Sequence, residues 1–384
     1  GKLAPGKMFM VDTEKHRIIR DNEIKSTVSR WKPYRRWLEE NKIELKGLFQ
    51  VPGQIKKDKD TLRIQQKAFG YNLEDFKTII VPMVTNSQEP VGSMGNDAAL
   101  AVLSKKPQLI YNYFKQTFAQ VTNPPIDPYR ENLVMSLSSF VGRNKNLLEE
   151  TPEHCRQLKL SQPTLTNEDI ERLKHSEIEG FKVCSIPMLF EPTEGALEKG
   201  LIKLCLEAEK KVDEGYSMII LSDRKISVER AAIPALLAVS RVHQHLLRRN
   251  KRGFTALIVE TGESREIHHF ATLLSFGASG VNPYLVFESL PDLQDRGYIS
   301  RTLPLPTAIM NYMTAVNKGL LKVMSKMGIS TLRGYRHAQT FEAIGLNEKF
   351  VETFFPGTVS RIGGIGLPVF EKEIIHRHFE AFSI

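Results

Sequence analysis

From about residue 180 the chain switches in turn between two hydrophobic periods, and the switching predicts strands alternating with helices. A strand over 182–190 precedes a stripe of Leu197, Leu201, Leu204, Ala208 and Val212, one helical face closed by Gly215. A continuous apolar run over 218–221 precedes a helix over 233–247 that stops at a basic cluster and Gly253. The same order repeats as strand 255–260, helix 266–276 and strand 280–285. Unbroken apolar strands are covered on both faces, as the strands of parallel sheets are. Past residue 300, Ile309, Met313, Val316, Leu320, Met324 and Met327 fall three or four residues apart, a long helix ended by Gly328. Six positions at that spacing are core rather than a cofactor box. A second short helix is predicted over 336–344, ended by Gly345.

The first half of the chain is less regular. Apolar runs at 8–11 and 17–19 flank a polar turn, a hairpin pattern, and the charged stretch 54–61 reads as a loop or linker before a compact segment starting near Leu62. Strands are predicted over 78–83 and 133–137, and helix-like runs over 98–103 and 109–119, the latter with an aromatic stripe of Tyr113 and Phe114. Pro124, Pro125 and Pro128 stop that run and stiffen the chain, so Thr122 and Asn123 just before them are held in place. About six strands can be counted, fewer than a full barrel needs. The expected fold is therefore α/β, an incomplete or degenerate TIM-like (β/α) barrel with an N-terminal hairpin and linker and C-terminal helices.

Length, 384 residues, suggests two or three domains at about 150 residues each. Cys155, Cys184 and Cys205 lie 29 and 21 residues apart, spacings that make neither a disulfide framework nor a C-x-x-C metal site, and a reducing compartment fits. No apolar run approaches the ~20 residues that span a bilayer, and no signal-peptide core opens the chain. The expected compartment is the cytoplasm, or a plastid if a targeting segment was removed ahead of residue 1, which is not Met. The 53 basic and 44 acidic residues leave +9, with the densest basic patch at Arg241, Arg248, Arg249, Lys251 and Arg252 and no acid within 241–252. Nucleic-acid binding would want aromatics among those cations, and there are none. The patch reads as a solvated helix C-terminus complementing the dipole, or as a docking face for an acidic partner domain.

Few residues offer chemistry. Adjacent His268 and His269 point about 100° apart on a helix and cannot share a metal, and His243-x-His245 and His376-x-His378 fail for the same reason. In a barrel the polar residues just past the strand ends face the functional rim, here Glu191, Ser222-Asp223-Arg224, Glu260-Thr261-Gly262, Asn282 and Tyr284. Asp223 and Glu260 read either as an acid/base pair with separated pKa values or as acceptors of hydrogen bonds from Arg224, Arg265 or backbone amides. Gly92-Ser93-Met94-Gly95 reads as a structural turn or an anion cradle, without the lysine of a P-loop or the third glycine of a dinucleotide fingerprint.

Sequence blocks supply the rest: Leu3-Ala4-Pro5-Gly6-Lys7-Met8, Phe69-Gly70-Tyr71-Asn72-Leu73-Glu74-Asp75, residues 89–97 and the Thr-Asn-Pro-Pro segment. Further blocks are Leu221-Ser222-Asp223-Arg224, His268-His269-Phe270 with Phe276-Gly277-Ala278, Asn282-Pro283-Tyr284-Leu285, residues 322–331 and Ser360-Arg361-Ile362-Gly363-Gly364. In this order they closely resemble the large (alpha) subunit of the glutamate synthase family, iron–sulfur flavoproteins that make glutamate from glutamine, 2-oxoglutarate and a reductant. The resemblance implies a central domain over 62–295, the end of an amidotransferase region and linker over 1–61, and a helical connector and start of an FMN-binding domain over 296–384. The stripe of the long helix would then need that FMN-binding domain to bury it fully. The family's catalytic N-terminal cysteine has no counterpart here, residue 1 being Gly, and its flavin segment and cluster cysteines do not occur before Ile384. The resemblance thus implies a piece that is not an enzyme alone and holds no cofactor or metal, in a parent with FMN and an iron–sulfur cluster. Its partners would be the amidotransferase and FMN-binding domains of the same polypeptide, with a small reductase subunit or ferredoxin, and neither nucleic acid nor membrane. The family implies a role as link and ammonia conduit, with Ser93, Met94, Thr122 and Asn123 as candidate passage walls. Two other readings of the residues stay open: an autonomous barrel enzyme using Asp223 and Glu260, and a basic interaction module using residues 248–252.

Overall fold

The computed structural model describes residues 2–45, 58–90, 99–117 and 125–383. The chain divides into two compact units, one of residues 1–43 and 145–157 and the other of residues 44–144 and 158–384. In the first unit, β1 (Met10–Asp12) and β2 (Arg17–Ile19) form the expected antiparallel hairpin, with Met10 opposite Ile19. The Asp12 carboxylate closes its turn by accepting from the amides of Glu14 and Lys15 at 3.1 and 2.9 Å. Helices α1 (Asp21–Ser29) and α2 (Tyr34–Asn41) follow, and Tyr34 donates its hydroxyl to Glu150 of the returning segment at 2.8 Å.

After β3 (Ile43–Glu44), the second unit holds α3 (Lys59–Ala68), which begins inside the predicted linker because Asp58 caps it through the Thr61 amide at 3.3 Å. The strand expected over 78–83 is helical instead: a π-helical turn over Asp75–Ile80 runs into α4 (Val81–Asn86). Asn72 and Asp75 start this helix by exchanging backbone-to-side-chain hydrogen bonds at 2.9 Å each, and Pro82 sits in the first turn, where no amide is needed. The apolar run is continuous because Ile80, Met83 and Val84 are wholly buried. The helix expected over 109–119 shrinks to a 3-10 turn, Ile110–Tyr113, before β4 (Phe114–Gln116), and the run over 98–103 to a turn at Ala101–Leu103. The strand expected over 133–137 is preceded by α5 (Pro128–Val134), which Asp127 caps, leaving only an isolated bridge from Ser136 to Thr331. Antiparallel β5 (Ser139–Val141) and β6 (Leu158–Leu160) lead to α6 (Asn167–Lys174).

The predicted βα rhythm follows. In order come β7 (Lys182–Pro187), β8 (Leu189–Phe190), α7 (Ala196–Asp213), β9 (Tyr216–Ser222), β10 (Ala231–Ala232), α8 (Ala235–Arg248), β11 (Ala256–Glu260), α9 (Ile267–Ser275), β12 (Gly280–Asn282) and α10 (Tyr284–Asp295). The main sheet is wholly parallel in the order β12-β11-β9-β7, while β8 and β10 pair as a small antiparallel ribbon. All five α7 stripe residues are buried, as is every residue of β11. The last strand stops at Asn282, three residues short of the expected end, because Pro283 starts α10. Beyond β12, Thr164 pairs with Val281 in parallel, the Leu165 amide donating to the Val281 carbonyl at 2.9 Å and the Val281 amide to the Pro163 carbonyl at 2.8 Å. Among the described residues no sheet closes into a barrel.

Helix α11 (Leu305–Met327) carries the long stripe and ends, as predicted, on Gly328 in the left-handed conformation at φ 70°. Met313, Val316, Leu320 and Met324 are buried and Ile309 and Met327 half-buried. Helices α4, α9 and α10 pack on α11 within this unit, and the stripe stays half-buried at its two ends. The short helix expected over 336–344 is corrected. Helix α12 (Leu332–Tyr335) ends before it, and the range is a turn that runs into β13 (Phe341–Leu346), followed by α13 (Glu348–Phe354), β14 (Val359–Ile365) and α14 (Leu367–Phe382). Strand β13 lies between β14 and β4. Among the described residues no helix is long and apolar enough to cross a membrane.

Candidate functional site

A parallel sheet brings the C-terminal ends of its strands to one edge, and polar residues emerge there because the apolar runs stop. Two buried clusters form at this edge. In the first, Asp223 is fully buried and accepts from the Thr261 hydroxyl at 2.6 Å and the Gly262 amide at 3.0 Å. Burial pushes its carboxyl up to about 8; the Thr261 hydrogen bond opposes this and the Glu263 charge adds to it. Glu263 accepts from the Tyr111 hydroxyl at 3.0 Å and, at the start of α8, from the Ala235 amide at 2.9 Å. Arg265 pairs with Asp75 at 3.2 Å, donates to the carbonyls of Phe69 and Gly70 at 3.1 and 3.0 Å, and lies 4.4 Å over the Tyr71 ring.

Phe69 is the stopper of this edge. A Cβ on Gly262 would meet its ring at 2.6 Å, so the turn after β11 and the end of α3 are in direct contact. Behind it, Arg377 of α14 is half-buried and donates to the Ala68 carbonyl at 3.1 Å.

The second cluster centres on Glu260, also fully buried. One carboxylate oxygen accepts from Arg224 at 2.6 Å and Lys174 at 3.1 Å, the other from the Ser222 hydroxyl at 2.6 Å. Burial raises this carboxyl, but Arg224 and Lys174 outweigh it and the net shift is downward. Arg224 also pairs with Glu288 and stacks 4.3 Å over Tyr284. Asn282 donates to the Leu165 carbonyl and to Asn167, both at 2.9 Å. Glu191 stays exposed on a surface cavity of about 350 Å³ that it lines with Lys199, Lys203 and Arg230. The structure thus brings Asp223, Arg224 and Glu260 to one edge, each engaged by partners of the same chain.

The other candidates are dispersed. His268 shares a hydrogen bond with the Tyr111 carbonyl at 2.9 Å, and burial takes it down to about 4. His269 pairs with Glu266 at 3.0 Å, His376 with Glu380 at 3.3 Å, and His378 meets the Val228 carbonyl at 3.2 Å. Among the described residues no group of His, Cys, Asp and Glu is placed to hold a metal. In the basic patch, Lys251 bridges Glu209 and Asp213 at 2.8 Å each and Arg249 reaches Glu209 at 3.4 Å. Arg252 is half-buried and turns its guanidinium inward to His243. Ser93, Met94, Thr122 and Asn123, with the Gly92 to Gly95 turn, lie outside the described residues. Sequence reasoning missed Phe69, Tyr111, Glu263 and Arg377 as parts of this edge. The one local signal was the glycine at 262 between polar neighbours, which marks a close approach without naming what approaches.

Residues 64–347 match the family described as glutamate synthase central domain, and residues 1–37 match class-II glutamine amidotransferases. The chain is 42% identical over 382 residues to the glutamate synthase [NADPH] large chain of Bacillus subtilis, covering 100% of this chain and 25% of that protein. It is 41% identical over 385 residues to glutamate synthase [NADH] of Schizosaccharomyces pombe, covering 95% and 18%, and 40% identical over 396 residues to ferredoxin-dependent glutamate synthase 2 of Synechocystis sp., covering 100% and 25%. It therefore spans a quarter or less of these relatives' length. A likeness to the recombinant flavin-binding domain of baker's yeast flavocytochrome b2, with TM-score 0.37 and 11% identity over 83% of this chain and 97% of that one, is too weak to carry an argument. On the match over residues 64–347 and the identity along its whole length, the chain belongs to the glutamate synthase central domain family.

Proposed function

We propose that this chain is the central region of a glutamate synthase, which turns glutamine, 2-oxoglutarate and a reductant into two glutamates, and that it links the glutaminase and FMN sites without chemistry of its own. The observation that carries this reading is the sealed strand edge. Where an α/β sheet of this kind admits a ligand, Phe69 packs on Gly262, and Asp223 and Glu260 spend their oxygens on internal donors. A general acid or base must reach its substrate's proton, and neither carboxylate has solvent access. The same packing does not fit a flavin, so FMN and the iron–sulfur cluster are assigned to other parts of the parent.

The division proposed is amidotransferase end and linker over 1–61, central domain over 62–295, and connector with the start of the FMN-binding domain over 296–384. The sheet is read as part of a degenerate (β/α) barrel, supported by the four parallel strands and the parallel pairing of Thr164 with Val281 beyond β12. The partners are the flanking domains of one polypeptide and a reductase subunit or ferredoxin, in the cytoplasm or a plastid. The passage for ammonia is assigned to Ser93, Met94, Thr122 and Asn123. Small neutral polar walls suit that cargo, because charge would trap ammonium and open water would protonate ammonia. The purified chain incubated with FMN and glutamine should neither quench flavin fluorescence nor release ammonia; stoichiometric flavin binding would refute the sealed edge as the basis of the reading.

A further inference from the structure

Where α8 ends and the chain approaches β13, two arginines and two histidines gather without a carboxylate. Arg252 donates its Nε to His243 Nδ1 at 2.7 Å, and its terminal nitrogens to the carbonyls of Thr255 at 2.6 Å and Gly277 at 2.9 Å. Because Nδ1 accepts, the His243 proton sits on Nε2. His337 stacks on that ring, with centroids 3.8 Å apart and planes 21° from parallel. The arrangement is built at some cost. His337 adopts φ 58°, rare for a residue with a side chain, and is held there as its amide donates to the Ser275 carbonyl at 2.9 Å. Gly277 allows the approach, since a Cβ there would lie 2.9 Å from the His243 ring.

Arg336 completes the group. Its Nε is buried and has no hydrogen-bond partner among the described residues, and its charge acts on His243, His337 and Arg252. Every ionisable neighbour acting on these four residues is a base, Arg252, Arg333, Arg336 or His337, and none is a carboxylate. Burial, reinforced by those charges, takes His243 down to about 2 and His337 to about 4, and lowers Arg252 to about 9 and Arg336 to about 10. Desolvated guanidinium groups without a counter-charge are costly, and an incoming anion removes that cost. The cluster opens to solvent through His337, which is exposed, and Arg336, which is half-buried.

We propose that Arg336 and His337, backed by Arg252 and His243, form a binding site for a small dianionic oxyanion of the phosphate class. Two guanidinium charges, with an imidazole able to take a proton as the anion arrives, match two negative charges better than one, and planar guanidinium donors suit phosphate oxygens. The site is separate from the sealed strand edge and independent of the role proposed above.

The test is thermal unfolding of the intact chain in sodium phosphate against sodium chloride and sodium acetate at matched ionic strength, with the His337 imidazole resonances followed by NMR. Phosphate is expected to raise Tm saturably and shift those resonances, while chloride and acetate do neither. Arg336→Gln should weaken the apparent phosphate affinity about tenfold. His337→Gln, at an exposed position, keeps the fold and should weaken it as well. The proposal is overturned if phosphate acts no differently from chloride, if acetate equals phosphate, or if His337→Gln and a folded Arg336→Gln both keep wild-type affinity.

Discussion

Asp223 shows how one buried carboxyl couples the strand edge to stability. Burial lifts it from 3.8 to about 8, so the folded chain keeps a proton that the unfolded chain releases. A raised carboxyl pKa contributes stability that is complete below the unfolded value and is lost as pH rises through the folded one. Asp223→Asn, neutral at every pH, removes that dependence. Urea unfolding between about pH 4 and about pH 9 should show the unmodified chain losing stability relative to the variant across this window, and parallel curves would contradict the assignment. The sequence marked Asp223, Arg224 and Glu260 as strand-end residues because each follows an apolar run. It could not show that the edge is closed, since the residues that close it, Phe69, Tyr111 and Arg377, come from remote segments whose contacts leave no local pattern.

At the scale of elements, long-range contacts again decide what local signals leave open. The N-terminus of α7 is capped by Glu371 of α14, whose carboxylate accepts from the Gly195 and Leu197 amides at 2.8 and 2.7 Å. Glu371→Ala should cost about 1–3 kcal/mol in urea unfolding and remove hydrogen-exchange protection from the first turn of α7. Gly319 of α11 packs on α9, and a Cβ there would lie 2.5 Å from Ile267 Cδ1. Glycine-to-alanine within a helix ordinarily stabilises by about 1 kcal/mol. Here overpacking should win, and Gly319→Ala is expected to lower Tm; an unchanged or higher Tm would mean that α9 and α11 yield easily. Elements with strong periodicity, α7, α8, α9 and α11 and the strands between the first three, were legible in the sequence. The runs at 78–83 and 336–344 were not. The first is β-branched yet buried as a helix, and the second begins with His337 and Gln339 at positive φ, a conformation no periodicity signals.

For the whole molecule, the blocks along the chain expressed the family, and the match over residues 64–347 agrees. The parallel sheet was legible but its closure was not, because a parallel sheet has the same sequence signature whether it closes or stays open, and among the described residues it stays open. The central claim is that this region connects two active sites and guides ammonia between them. Its most direct test is the ratio of glutamine consumed to glutamate formed on 2-oxoglutarate, measured in the full-length enzyme carrying Thr122→Val or Asn123→Leu. The first deletes a hydroxyl while keeping the shape, and the second blocks or dries the wall. The account predicts that the ratio rises above that of the unmodified enzyme while ammonia-dependent synthesis is largely retained. Tight coupling in both variants, with only a loss of thermal stability, would contradict the conduit and leave the pair as a structural cap on the proline segment.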